Sequence, residues 1–236
     1  MFQLTLFKGA YIMSPGYVPG AGHHQAENVP TAVGCPGGDI TCMRSVKYTT
    51  LMTIGSEVAS NYSYQLQPRV DGDIVADTYE AQLYQKDFNF SGLLVIYHER
   101  HEENRQSSSF GFGITGKNLA LTHALHNETW NAIVNLGLAT HGTDQTYYWY
   151  NTYSTVPANG LNSSSSSSVN VTRTMQQYLP AFVLTGNPNT LWPDDKIYCP
   201  KYGNATNTIS FNTTMSIAFD DLANDKSLFW NKALWY

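Results

Sequence analysis

Two short stretches carry residue types that move protons. In ATHGTDQTYYWY, residues 139–150, His141 stands against Gly142, with Asp144 three positions on and aromatics behind it. A general base needs a loop position from which its ring reaches a nucleophile while an acid holds its other nitrogen. The glycine lets the backbone turn tightly beside the ring. A hydrogen-bonded structural histidine is the alternative, and Tyr147, Tyr148, Trp149 and Tyr150 read as core or pocket wall. In HERHEE, residues 98–103, two histidines and three glutamates lie together. The spacing is neither HExxH nor HxxEH and follows a strand-like run, not a helix that puts both histidines on one face, so no zinc or other metal is expected. Two readings remain: a carboxylate that orients and charges a distant histidine, as in a Ser-His-acid triad, or a solvated loop of mixed charge.

These residues need elements to position them. LFKGAYIM ends in the turn SPG, and SGLLVIYHE contains a run, LLVIY, suited to a strand buried on both faces. GKNLALTHALHNETW reads as a helix giving way to a short strand near WNAIV, which places His141 in a loop after a strand. VNVTRTMQQYLPAFVLTG has helical spacing and closes at Gly186, and SLFWNKALWY is a further helix-like piece. GFGITG at 111–116 follows NRQSSS, not a buried strand, so it reads as a flexible loop and not as a dinucleotide fingerprint. The serine run at 162–168 is expected on the surface as a loop. Buried strands interleaved with helices predict an α/β layered architecture.

Composition narrows the partners. With 236 residues, 42% of them hydrophobic, the chain can enclose one sizeable core. A net charge of −5 offers no basic surface for nucleic acid or an anionic membrane. No apolar run is long enough to span a bilayer, and the first residues do not have the order of a signal peptide. The sequon NxS/T nevertheless recurs at Asn61, Asn89, Asn127, Asn162, Asn170, Asn204 and Asn212, which favours a secreted, extracellular glycoprotein. Cys35 and Cys42 bracket CPGGDITC, which a disulfide could close in an oxidising compartment; two unpaired thiols are the alternative, and Cys199 is left over.

Taken in order, several of these stretches resemble the type B carboxylesterases, the cholinesterase and fungal lipase family of α/β-hydrolases. LFKGAYIMSPG is similar to the segment after that family's nucleophile elbow, and the Cys35, Cys42 pair resembles its second disulfide loop. PRVDGD with LYQKDFNFSGLLV resembles its PxxDG turn and the strand leading to its acid, and THGTDQTYYWY its HGxD/E motif. FVLTGNPN, Trp192-Pro193 and FWNKALWY resemble the end of its catalytic domain.

The resemblance implies the C-terminal part of an α/β-hydrolase fold, a mostly parallel sheet flanked by helices, as one truncated domain over 1–236. It matches His141 to the catalytic base and Glu102 to the acid, with Glu99 and Glu103 as competitors. The family's reaction is cofactor-free, serine-dependent hydrolysis of small-molecule or lipid carboxylic esters. The departures bear on activity. GxSxG and an HGGG-type oxyanion stretch are both lacking, and the segment between Glu102 and His141 is much shorter than the family's. Ser14, in IMSPG, lacks the flanking glycines of an elbow and is a poor substitute nucleophile. The expected function is therefore an inactive esterase-like fragment, with a non-catalytic cholinesterase-like binding or adhesion module as the alternative. An incomplete gene model of a full-length esterase would account for the abrupt start and the internal shortening.

Overall fold

The computed structural model describes residues 7–15, 27–62, 79–101, 111–150, 166–221, 223–225 and 227. The chain divides into two compact units, Val18–Asp77 and the remainder, Met1–Tyr17 with Thr78–Tyr236.

The smaller unit holds three helices, α1 (Asn28–Ala32), α2 (Ile40–Ser45) and α3 (Tyr48–Tyr62). Cys35 and Cys42 form a disulfide across a Cα separation of 5.6 Å. The stretch between them is more ordered than a plain loop: Pro36–Gly38 make a turn of 3₁₀ helix, and Asp39 caps α2. The Asp39 carboxylate accepts the amides of Thr41 at 2.8 Å and Cys42 at 3.1 Å, satisfying donors that a helix start leaves open.

The larger unit is built on a five-stranded sheet in the order β1 (Gly9–Met13), β2 (Leu93–Glu99), β3 (Trp130–Val134), β4 (Asn207–Phe211) and β5 (Ser216–Phe219). The first four strands run parallel and β5 is antiparallel to β4. Its helices are α4 (Tyr79–Gln85), α5 (Gly111–Ala124), α6 (Thr143–Tyr148) and α7 (Ser166–Thr185). This is the α/β architecture expected from the sequence, with strands where LLVIY and WNAIV predict them, and β1 forms within the apolar segment LFKGAYIM.

Both faces of the central strands are buried, as parallel strands require. On one face Val95, Tyr97, Trp130, Ala132 and Val134 join Met175, Tyr178 and Phe182 of α7 in a single apolar cluster. On the other, Asn131 of β3 donates to Thr122 of α5 at 2.9 Å. α7 ends at Gly186, whose φ of +75° and amide bond to the Phe182 carbonyl at 2.7 Å make the helix stop predicted there.

Three features differ from the expectations. GFGITG is helical and opens α5, so the packing of that helix outweighs the propensity cost of its glycines. The serine run turns helical at Ser166, where α7 begins. The β4–β5 hairpin, in NTISF and SIAF, had no counterpart among the predicted strands. Residues 63–78 and the terminal FWNKALWY lie outside the described residues.

Candidate catalytic site at the carboxyl edge of the sheet

The carboxyl ends of parallel strands are where open α/β sheets bind and react with ligands. At this edge the register sets Glu99, the last residue of β2, beside Val134, the last of β3. The chain then leaves both strands together. The Arg100 amide donates to the Val134 carbonyl at 3.0 Å and the His101 amide to the Ala139 carbonyl at 2.8 Å. The start of the HERHEE stretch and the loop bearing His141 are thus joined through their backbones, although they are distant in sequence.

His141 lies exposed on the turn between β3 and α6, the loop-after-strand position expected of it. The turn closes on itself: the Thr143 amide donates to the Thr140 carbonyl at 2.9 Å, and the Thr140 amide to the Thr143 hydroxyl at 3.1 Å. Gly142 follows with φ of +84°, a conformation that a side chain would strain. Asp144 is buried and does not present its carboxylate to solvent.

Beneath the turn is a buried polar network. Glu99 is fully buried, and its Oε1 accepts the Asp144 amide at 2.8 Å. The Tyr97 hydroxyl donates to Asp144 Oδ2 at 3.1 Å. Tyr97 stacks on Tyr148 with centroids 5.4 Å apart, and the hydroxyls of Tyr148 and Tyr11 share a hydrogen bond of 2.7 Å. Burial pushes the phenols of Tyr97, Tyr148 and Tyr11 well above the usual tyrosine range, with neighbouring phenols and Asp144 adding to it. The Tyr147 phenol is raised by burial and then by the charge of Glu99. An exposed ion pair of 3.2 Å between Arg100 and Asp221 lies at the strand end.

The reading of HERHEE as a solvated loop fails for its first two residues. His98 and Glu99 are buried within β2, because the strand continues past the apolar run. Glu102 and Glu103 lie outside the described residues; of the three candidate acids, Glu99 is the one whose surroundings are defined. Among the described residues no cluster of three or more histidine, cysteine, aspartate or glutamate side chains is placed to hold a metal ion. Ser14 follows β1 with φ of +45°, and its amide donates to the Tyr97 carbonyl at 2.8 Å. Its buried hydroxyl makes no hydrogen bond with a base among the described residues.

The sequons divide by exposure. Asn61, Asn89, Asn170 and Asn204 are exposed and Asn212 is half-buried, whereas Asn162 lies outside the described residues. At Asn127 the side-chain oxygen is buried, and the hydroxyl of Thr129 in the same sequon is bonded to Asn131 at 2.6 Å.

No family model matches the sequence, and no curated protein matches it. Solved structures do match the fold. A PNB esterase superposes with a TM-score of 0.74 at 12% identity, over 96% of this chain and 57% of its own. A carboxylesterase of Geobacillus stearothermophilus gives 0.66 at 13% identity, over 88% of this chain and 52% of its own. An esterase from Clostridium hathewayi, which hydrolyses aliphatic aromatic polyesters, gives 0.58 at 15% identity, over 96% and 56%. The architecture is therefore a partial α/β-hydrolase fold. More narrowly, it is the form of that fold seen in the type B carboxylesterases, and this chain spans little more than half the length of those relatives.

Proposed function

We propose that the chain is part of a secreted, glycosylated carboxylesterase-type protein, that it carries the base and acid side of an ester-hydrolysing site, and that it does not itself hydrolyse esters. One observation supports this above the others: in a carboxylesterase-like fold, the loop of His141 is hydrogen-bonded to the end of the strand that leads to the candidate acids. Both compact units belong in this reading to one domain, since the likeness to the PNB esterase extends over 96% of the chain.

The chemistry of the site follows from those residue types. In an intact site a serine hydroxyl attacks the ester carbonyl while the imidazole takes its proton and later returns a proton to the leaving alcohol. Water then cleaves the acyl-enzyme by the same route. His141 is the base in this scheme, and Glu102 the acid that fixes its tautomer and balances the imidazolium. No cofactor takes part. The sequence supplies no GxSxG serine and no HGGG-type donors for the oxyanion, and these are the groups that start the reaction and stabilise its intermediate.

A fluorophosphonate probe, which reacts with activated serines, tests the reading. The purified chain is expected to remain unlabelled. Labelling at Ser14, lost in a His141→Ala variant, would overturn it. The absence of the elbow motif also suits a second reading, a non-catalytic binding module. Specific capture of one protein partner, unchanged by His141→Ala, would favour that module.

A further inference from the structure

We propose that Glu99 is the positioning residue of the His141 turn: its buried carboxylate, at the end of β2, anchors the first turn of α6 and so fixes where the imidazole stands. The inference rests on the reading of His141 as the base of the site.

A carboxylate removed from water is costly unless it is hydrogen-bonded. Glu99 is fully buried, and one of its oxygens accepts the Asp144 amide at 2.8 Å. That amide needs an acceptor from elsewhere. The residue preceding α6 is Gly142, and no side chain caps the helix locally. Six residues are too few for a helix to hold itself together in water, so its external anchors decide its geometry. At the far end, Gln176 of α7 donates to the carbonyls of Tyr147 at 3.1 Å, Tyr148 at 3.0 Å and Tyr150 at 2.9 Å. At the near end Glu99 supplies the anchor, and negative charge there also suits the positive end of the helix dipole.

The turn is held on both sides of His141 from the same place. Ala139 accepts the His101 amide on one side, and Asp144 donates to Glu99 on the other. The Asp144 amide and the Tyr147 phenol of α6 face the carboxylate, and the phenol is raised in part by the Glu99 charge. A glutamine at position 99 retains an acceptor oxygen at the same reach; an alanine does not.

Amide exchange and a pH titration of the His141 ring resonances, both by NMR on the full chain, test the assignment. In Glu99→Ala the Asp144 amide is expected to exchange about tenfold faster or more, the loss of a charge-assisted bond, and the His141 titration curve to move. In Glu99→Gln the Asp144 amide should stay within about threefold of the parent. The Ile209 amide in β4 serves as the control for an intact fold. A folded Glu99→Ala chain with parental Asp144 exchange and an unmoved His141 curve would overturn the proposal. Should Glu99→Ala not fold, Glu99→Asp decides instead, being too short to reach: faster Asp144 exchange supports the anchor, and parental exchange refutes it. Neither readout depends on ester turnover, so a failure here is distinct from a failure of the functional reading.

Discussion

The two compact units are held together by different means. The larger encloses a continuous apolar cluster in which Val134, Met175 and Tyr97 are fully buried, and a polar network runs beneath the His141 turn. The smaller buries little beyond Val29, Cys35 and Val58 among its described apolar residues, while Ile40, Tyr48 and Met52 are exposed. Among these described residues the Cys35–Cys42 disulfide and the Asp39 cap supply constraints that apolar burial does not. The unit that carries the candidate site combines apolar packing with buried side-chain hydrogen bonds among its described residues.

The contrast is open to direct attack. The largest effect is expected at Tyr97, which stacks on Tyr148 and donates to Asp144. Tyr97→Ala should lower the unfolding free energy by about 3–5 kcal/mol in urea titration, as truncation of a buried aromatic does. Tyr97→Phe should cost about 1–3 kcal/mol, because it removes the donor to a buried carboxylate oxygen. A loss below about 1 kcal/mol for Tyr97→Ala would show that the network contributes little.

Reduction of Cys35–Cys42 is expected to destabilise the smaller unit by about 2 kcal/mol, the low end of the range because the closed loop is short. Limited proteolysis should then cut more readily within residues 27–62. An unchanged cleavage rate would mean that the Asp39 cap and local packing suffice.

The smallest effect near neutrality, growing with alkali, concerns the buried acids that stay protonated. Burial pushes the Cys199 thiol up to about 12, against a pull downward from Lys201, and raises the phenols of Tyr178 and Tyr202 above their ordinary range. Unfolding returns these groups to ordinary values, so above pH ~9 the unfolded chain releases protons that the folded one keeps. The contribution of these groups should therefore be constant below that pH and fall as pH rises through it, by about 1.4 kcal/mol per pH unit for each such group. Cys199 should react with a thiol reagent at pH 8 only on unfolding. Rapid modification of the native protein would place the thiol outside the core.

Much of the fold was legible in the sequence. LLVIY and WNAIV announce strands by apolar runs, and MQQYLPAFVLTG announces a helix and its glycine stop. The hairpin of β4 and β5 was not, because NTISFNTTMSIAF interleaves strand formers with asparagine, serine and threonine that ordinarily mark turns, and Thr208 is buried all the same. In the site, Gly142 beside His141 correctly signalled a tight turn after a strand. Glu99 was harder to place. Strand periodicity puts it on the same inward face as Val95 and Tyr97, but a glutamate at that position reads as surface by residue type, and its bond to the Asp144 amide of α6 is not visible in the local sequence.

Hydrolysis of p-nitrophenyl butyrate by the purified 26.3 kDa chain, compared with its His141→Ala variant, tests the central claim most directly. A site that holds base and acid without a nucleophile predicts the same rate for both, equal to that of buffer containing an inert protein. Turnover above that background, abolished by His141→Ala, would contradict it and would require a serine that the sequence motifs do not reveal.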